Sequence, residues 1–451
     1  MNRRLRRDAG FAAVSLLALV APVLGWATAL PFLAVAGAAL VTEEGPLFDL
    51  FARPRDRQAG RLYGLAAFSL AAALLAALAV PPPGATATYT MSLPAFAASV
   101  VTVGVGNLGA TAVRDHLDEQ FLVVSVFAVT AFVAALLAQL LVVVLASTPV
   151  AVAGVDAGFG ALPTFTFQAA LAALVGALTR SLLSPGDAAA VTFAVGAAML
   201  VVGALSPTVQ VLDVGMALGV ALLLGSVTYA TGTASVEGML SGVLLCLVTI
   251  VLGGTGWFTL LLTFFGVGTL STKFRYEEKA ARGVAEENEG ARGTGNVLGN
   301  SAVALAAVVG FAAAGALPVG ADLFRVAFAG SLAAAMGDTL SSEIGGLFDN
   351  PRLVTTGERV PPGTDGAVTW QGELAGVVGA TLVGVLTVAL LTVDHAPATV
   401  VAIVTAGGVA GMTADSLLGA TVEGDRVENE TVNLLATLAG ALASVLLALL
   451  L

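Results

Sequence analysis

Apolar runs of about 18 residues or more recur along the chain, the length a helix needs to span a bilayer's hydrocarbon core. Short polar or proline- and glycine-rich breaks separate them. The run 11–41 is too long for one span, and Pro22 and Pro31 divide it into two short or tilted helices. Further spans are predicted at 62–80, 91–112, 120–147, 163–181, 188–205, 213–231, 238–252 and 255–270. Five more follow, at 299–316, 323–344, 367–392, 396–414 and 431–451. Pro81-Pro82-Pro83-Gly84 marks a turn after the first of the single spans. The prediction is an all-α, polytopic integral membrane protein of 13–15 transmembrane helices, since helices satisfy their own backbone in lipid. The period-2 alternation of an outer-membrane barrel is absent.

The arginines give the chain a direction. Arg3, Arg4, Arg6 and Arg7 precede the first run and place the N-terminus in the cytoplasm. The start resembles a signal-peptide n-region, but apolar segments continue down the whole chain, which argues against one. Two crossings return the chain to the loop 42–61, which carries Arg53, Arg55, Arg57 and Arg61. With this parity Arg114, Arg180 and the loop beginning at Ser271 also face the cytoplasm, and the expected location is the cell membrane.

Composition agrees. Charged residues make up only 11% of the 451, against roughly 25% in soluble domains. Fifty-three glycines, with many alanines, predict helices in close contact. The net charge of −11 argues against nucleic acid or another polyanion as partner, and suits a high-salt cytoplasm. Cys246 is the one cysteine, so a disulfide within the chain is excluded. His116 and His395 sit beside acidic residues at segment ends and are too few for a histidine metal site.

Polar groups are unevenly placed. Residues 271–300 hold ten of the 49 acidic and basic residues, between two apolar runs. Beyond them, Asp338, Thr339, Ser341, Ser342 and Glu343 interrupt one span, and Asp415 and Ser416 interrupt another. Asn296 and Asn300 begin one span and Asn429 and Asn433 begin the last. Ionisable groups at membrane depth are expensive and line a cavity or site. The first half has fewer, namely Asn107, Thr111, Gln139 and Asp213. Aligning 94–113 with 325–344 puts Asn107 at the place of Asp338 and Ala112 at that of Glu343. That alignment predicts a degenerate internal duplication whose first copy has lost its charged groups. The expected organisation is a multi-span region 1–210 and a second membrane domain 211–451 with a cytoplasmic loop at 271–298.

Four stretches carry candidate chemistry. In Gly337-Asp338-Thr339-Leu340-Ser341-Ser342-Glu343-Ile344-Gly345, Asp338 and Ser342 share a helical face, and Glu343 can converge on the same cavity. Two carboxylates suit Mg²⁺, whose other positions are filled by water and phosphate oxygens; an interhelical hydrogen-bond network is the alternative. Gly363-Thr364-Asp365-Gly366 is a glycine-bracketed turn before a span, able to offer backbone amides to a phosphate or simply to cap the helix. Asp415 offers a second metal ligand. Asn429 and Asn433, four apart, share a face suited to hydrogen-bonding a headgroup, a base or a neighbouring helix. Lys273, Lys279, Arg282 and Arg292 supply cations near the membrane face, although Glu277, Glu278, Glu286, Glu287 and Glu289 can offset them as a solvated loop. No G-x-x-x-x-G-K-[ST] sequence is present, so a P-loop is excluded.

Together these motifs resemble DUF92, a membrane family that includes the vertebrate transmembrane protein 19 and plant chloroplast phytyl-phosphate kinase. The resemblance covers about residues 215–451. It rests on S-T-K-x-x-x-E-E-K-x-x-x-G-x-A-E-E at 271–287, R-x-x-x-N-V-L-x-N at 292–300 and G-D-T-x-S-S-E-I-G at 337–345. It continues in G-T-D-G-x-V at 363–368, D-S-L-L-G-A-T at 415–421 and N-x-x-x-N-L-L at 429–435. Asp365 stands where other members often have Asn, and the first 210 or so residues lie outside the family's domain. The resemblance implies a prenyl-phosphate kinase that moves a phosphoryl group from a nucleoside triphosphate, CTP or ATP, to an isoprenoid monophosphate such as phytyl or geranylgeranyl phosphate. Asp338, Glu343 and Asp415 would then hold Mg²⁺. Lys273, Lys279, Arg282 and Arg292 would contact phosphates. Asn296, Asn300, Ser341, Ser342, the Gly363–Gly366 turn, Asn429 and Asn433 would bind nucleotide or substrate. Positioning and charge neutralisation dominate such a transfer, and the acceptor phosphate is already ionised, so no catalytic histidine is needed. A cation-coupled transporter with Asp338 or Asp415 at mid-membrane, and a non-catalytic membrane scaffold, stay open as alternatives.

Overall fold

The computed structural model describes residues 3–81, 90–114, 116, 119–146, 161–183, 187–231, 234–285, 293–422 and 427–451. The chain divides into two compact units, Met1–Leu218 and Gly219–Leu451. The first holds α1 (Arg3–Ser15), α2 (Ala21–Leu24), α3 (Ala29–Val41), α4 (Pro46–Phe51), α5 (Pro54–Ala59), α6 (Tyr63–Ala79), α7 (Leu93–Arg114), α8 (Gln120–Leu145), α9 (Leu162–Leu182) and α10 (Ala188–Leu205). The boundary falls within α11 (Val211–Thr231). The second unit continues with α12 (Val236–Val248), α13 (Thr255–Lys273), α14 (Tyr276–Ala281), α15 (Thr294–Ala313), α16 (Ala321–Gly345), α17 (Trp370–Leu390), α18 (Pro397–Gly419) and α19 (Asn429–Leu450). Among the described residues, 12 helical segments are long and apolar enough to cross a membrane, with Arg3–Val41 counted once, and Tyr63–Ala79 is a shorter apolar helix. The protein is a polytopic all-α membrane protein.

The segment Arg3–Val41 doubles back on itself. Its chain turns at Gly25, whose φ of +53° favours glycine. The Arg3 guanidinium meets the Asp49 carboxylate of α4 at 3.1 Å, so the start of α1 lies beside the helix that follows α3. Pro22 and Pro31 each sit in the first turn of a helix, where a missing N–H leaves no bond unmade. The expected pair of short helices is therefore a hairpin.

In the second unit α16 is the helix the others surround. It packs against α13, α15, α17, α18 and α19. Its sequence Phe-Ala-Gly-Ser-Leu-Ala-Ala-Ala-Met-Gly at 328–337 is buried without interruption. Small side chains let neighbouring backbones approach, the main source of helix cohesion where lipid competes equally for apolar surface. A Cβ added to Gly407 of α18 would lie 1.9 Å from Ser444 Oγ and 2.8 Å from the Gly440 carbonyl, both on α19. One added to Gly440 would lie 2.6 Å from the Ala334 Cβ of α16, and one added to Gly376 of α17 would lie 2.7 Å from the Gly337 carbonyl. On another side the Trp257 ring of α13 stacks on Phe328 and Phe311 at centroid distances of 4.5 and 4.8 Å, fixing α13 and α15.

The first unit repeats this order. There α7, buried for most of its length, packs on α8, α9 and α10, as α16 packs on α17, α18 and α19. The segments 94–113 and 325–344, paired by sequence, each fall on a helix that packs on the next three long helices of its unit.

Substitution of Gly407 by leucine is expected to lower the thermal transition of the detergent-purified protein by several degrees or prevent a monodisperse preparation. Gly266, with nothing within 4 Å of its added Cβ, is the matched control: Gly266→Leu should leave the transition near that of the unaltered protein in a fluorescence-detected melt.

Candidate functional site

Six helix ends of the second unit meet around one cavity of about 580 Å³. The carboxyl ends of α13, α16 and α18 bring Thr272, Asp338 and Asp415 to it. The amino ends of α15, α17 and α19 bring Asn296, the capping Thr369 and Asn429. Asp338 lies roughly 10 Å of helix before the end of α16. The carboxylates therefore sit towards one end of the helix bundle, not at its middle.

The motifs read from sequence converge here. Asn296, Asn300, Asp338, Ser341, Ser342, Glu343, Gly363, Thr364, Asp365, Gly366, Asp415, Asn429 and Asn433 all line the cavity. The Asp338 and Asp415 carboxylates lie within interaction range of each other. Two carboxylates this close repel unless they share a proton or a cation. The buried Oδ1 of Asp415 has no hydrogen-bond partner. An orphaned oxygen beside a paired carboxylate fits a hard divalent cation, which binds protein through one or two carboxylates and keeps water and phosphate as its other ligands. Among the described residues no three His, Cys, Asp or Glu side chains cluster for a metal, so an all-protein cage is not what this site offers.

Asparagines also line the cavity. The Asn300 side-chain amide donates to the Asn296 carbonyl at 3.0 Å. Asn300 and Asn433 are both buried. The helices carrying them touch through glycine, since a Cβ on Gly299 would lie 2.7 Å from the Glu430 carbonyl. A further part of the lining is the excursion between α16 and α17. Strands β1 (Arg352–Leu353) and β2 (Ala367–Val368) pair antiparallel there, Arg352 opposite Val368. Thr364 N–H donates to the Pro361 carbonyl and Ala367 N–H to the Thr364 carbonyl, closing two consecutive turns. Gly363 and Gly366, each third in its turn, have φ of +82° and +71°. A Cβ on Gly366 would lie 2.4 Å from the Ala420 amide, so the turn is pressed onto the end of α18. The helix cap is Thr369, which accepts from Gly372 N–H at 3.2 Å; Thr364 and Asp365 are left to the turn.

The loop cations are placed differently from the expectation. Lys279 is buried, 1% exposed, and its three ammonium hydrogens are all taken. They go to the carbonyls of Ser271 and Thr272, at 3.0 and 2.7 Å, and to the Glu343 carboxylate. The other Glu343 oxygen accepts from Thr272 Oγ1 at 2.6 Å. Lys279 and Glu343 thus tie the loop and the end of α13 to α16, where phosphate and metal contacts were expected. Arg282 donates to the Gly346 carbonyl at 3.3 Å and to Asp349 at 2.6 Å, holding the start of the excursion. Lys273 is exposed on the last turn of α13, away from the cavity lining. Arg292, with Glu286, Glu287 and Glu289, lies outside the described residues. Two participants escaped the sequence reading. Thr272 was inside a quoted motif but reads as an ordinary helix-end threonine. Glu373, which accepts from Ser341 Oγ at 3.3 Å, reads as a first-turn acid.

Helix architecture and a carboxylate–asparagine cavity at one end of the bundle define a polytopic membrane protein with a polar site built by its second unit. The chain belongs to the family of integral membrane proteins described as DUF92, whose pattern matches residues 219–441. It is 38% identical over 217 residues to an uncharacterized membrane protein of Methanocaldococcus jannaschii, covering 47% of this chain and 84% of that one. It is 37% identical over 158 residues to the chloroplast protein VTE6 of Arabidopsis thaliana, covering 35% of this chain and 47% of that one. A membrane protein of Synechocystis is 32% identical over 144 residues, covering 30% of this chain and 54% of that one. The chain thus spans about half the length of these last two relatives. No solved structure matches it.

Removing one partner of a buried ion pair strands the other charge, at about 3–5 kcal/mol. Lys279→Met is expected to destabilise the protein by that order in a denaturant or thermal melt. Adding Glu343→Gln to Lys279→Met should recover part of the loss, because the stranded carboxylate is then gone.

Proposed function

We propose that the cavity of the second unit is the active site of a prenyl-phosphate kinase, transferring the terminal phosphoryl group of a nucleoside triphosphate, CTP or ATP, to an isoprenoid monophosphate. The observation that carries this reading is the close Asp338–Asp415 pair, with a buried unpartnered oxygen, in a cavity also lined by asparagines at helix amino ends. Family membership supports it, through the resemblance to prenyl-phosphate kinases described above.

Asp338 and Asp415 would hold Mg²⁺, which when bound neutralises charge on the triphosphate. Glu343 is left out of this set because both its oxygens are engaged. Helix amino ends favour anions, so the first turns of α15 and α19, with Asn296, Asn300, Asn429 and Asn433, would orient the phosphates. The amides of Thr364 and Ala367 close the turns, so a phosphate would meet those of Asp365 and Gly366. Ser341 and Ser342 are placed to donate to it. An oxygen of the acceptor monophosphate attacks the γ-phosphorus, and the bond from that phosphorus to the β–γ bridging oxygen breaks. The products are the prenyl diphosphate and the nucleoside diphosphate, and no proton need be removed from the attacking group. The prenyl chain would lie along apolar helix faces while its phosphate reaches the bundle end. That position favours a kinase over a coupled carrier, which needs its carboxylates near the bilayer midplane.

The test is turnover of purified protein with labelled CTP or ATP and a panel of prenyl alcohols and monophosphates, with and without Mg²⁺. Asp338→Asn and Asp415→Asn should each lower Mg²⁺-dependent transfer at least about 100-fold, the scale on which removing a preorganised charge contact acts. Lys273→Ala should stay within a few-fold of the unaltered rate. Turnover of Asp338→Asn at the unaltered level would overturn the metal assignment.

A further inference from the structure

The first unit has a cavity of its own, about 730 Å³, with a different chemistry. Arg4, Arg7, Arg53, Arg114 and Arg180 line it, against two lining carboxylates, Asp8 and Asp187. Both carboxylates already have partners. Asp8 is buried, accepts from Thr111 Oγ1 at 2.6 Å and pairs with Arg7 at 2.9 Å. Asp187 caps α10 by accepting from Ala190 N–H at 3.2 Å. The arginines are held in place by other means. Arg180 Nε donates to Asn107 Oδ1 at 2.9 Å, and its guanidinium lies over the Phe127 ring at 5.2 Å. The Arg53 guanidinium lies over Phe11 at 4.9 Å, and its buried Nε has no hydrogen-bond partner. Burial first, and the nearby Arg7 second, push the Arg53 pKa down, although Asp8, Asp56 and Asp187 act the other way.

The sequence alignment of the two halves implied that the first copy had lost its charged groups. The structure puts a cation, Arg180, beside the residue aligned with Asp338. Asn107 on α7 pairs with Arg180 near the end of α9, where Asp338 on α16 pairs with Asp415 near the end of α18.

We propose that the cavity of the first unit is a metal-independent binding site for a phosphate-bearing anion, held by the guanidiniums of Arg4, Arg7, Arg53 and Arg180. Guanidinium donors in a planar fork match phosphate oxygens, and a cavity lined by five arginines and two occupied carboxylates offers a cation nothing. The phosphate comes free from water or as a lipid headgroup, and the binding experiment separates these sources.

Full-length protein in detergent is titrated in EDTA with labelled inorganic phosphate by equilibrium dialysis, and with short-chain phosphatidic acid or phosphatidylcholine by native mass spectrometry. Saturable binding of phosphatidic acid, with or without binding of free phosphate, is expected; binding of both marks a site that reads the phosphate alone, and binding of the lipid only marks a headgroup site. Arg180→Gln and Arg4→Gln should each weaken binding about tenfold, the worth of one charged hydrogen bond. Arg4 is exposed, so its variant keeps the test valid if Arg180→Gln does not fold. Asp415→Asn should leave binding unchanged, which separates this site from the one in the second unit. Absence of saturable binding by either anion, equal binding of phosphatidylcholine, or affinity indifferent to both arginine variants would overturn the proposal, as would loss of binding in Asp415→Asn.

Discussion

Three helices approach α16 so closely that a methyl group cannot intervene at Gly376, Gly411 or Gly440. In lipid this contact replaces the hydrophobic effect as the force between helices, and the rest of the second unit follows from it. Because α17, α18 and α19 are drawn to one axis, their ends gather at a common level. The carboxylate of Asp415 can then reach that of Asp338 on a different helix. A looser bundle built on leucine would separate these side chains by the width of a residue and open the site to lipid.

The gathered ends also give the cavity an electrical direction. Asp338 and Asp415 come from the carboxyl halves of their helices, where the peptide dipoles add negative potential. Asn296, Asn300, Asn429 and Asn433 come from amino ends, where the potential is positive. The carboxylates therefore suit a cation and the helix amino ends suit phosphate, and both line a single space. In the first unit the residue aligned with Asp338 is Asn107, and its partner is the cation Arg180. The two units thus carry cavities of opposite character.

Much of this was legible in the sequence. Apolar run lengths placed nearly every span, and polar residues inside those runs identified the cavity lining from Asn296 to Asn433. The reason is that lipid makes a buried aspartate or asparagine costly, so its presence is informative without any structure. Lys279 and Arg282 were misread because charge near a membrane face has several uses. Nothing in the spacing of Lys279 shows that its ammonium turns inward to close three bonds rather than outward to phosphate. The arginine cavity was missed for another reason. Its members come from positions 4, 7, 53, 114 and 180, each of which counts locally as a positive-inside marker, and only the folded helices bring them together.

The Lys279–Glu343 contact also bears on how the protein is made. The carboxylate that neutralises Lys279 emerges from synthesis 64 residues after it, with the whole of α15 between them. Until α16 is in place, the ammonium has no counter-charge and must stay in water, so the segment 274–285 cannot settle against the bundle. Docking of that segment is consequently a late event in assembly. The rim of the cavity closes only on a chain that has already inserted α16 in the correct direction.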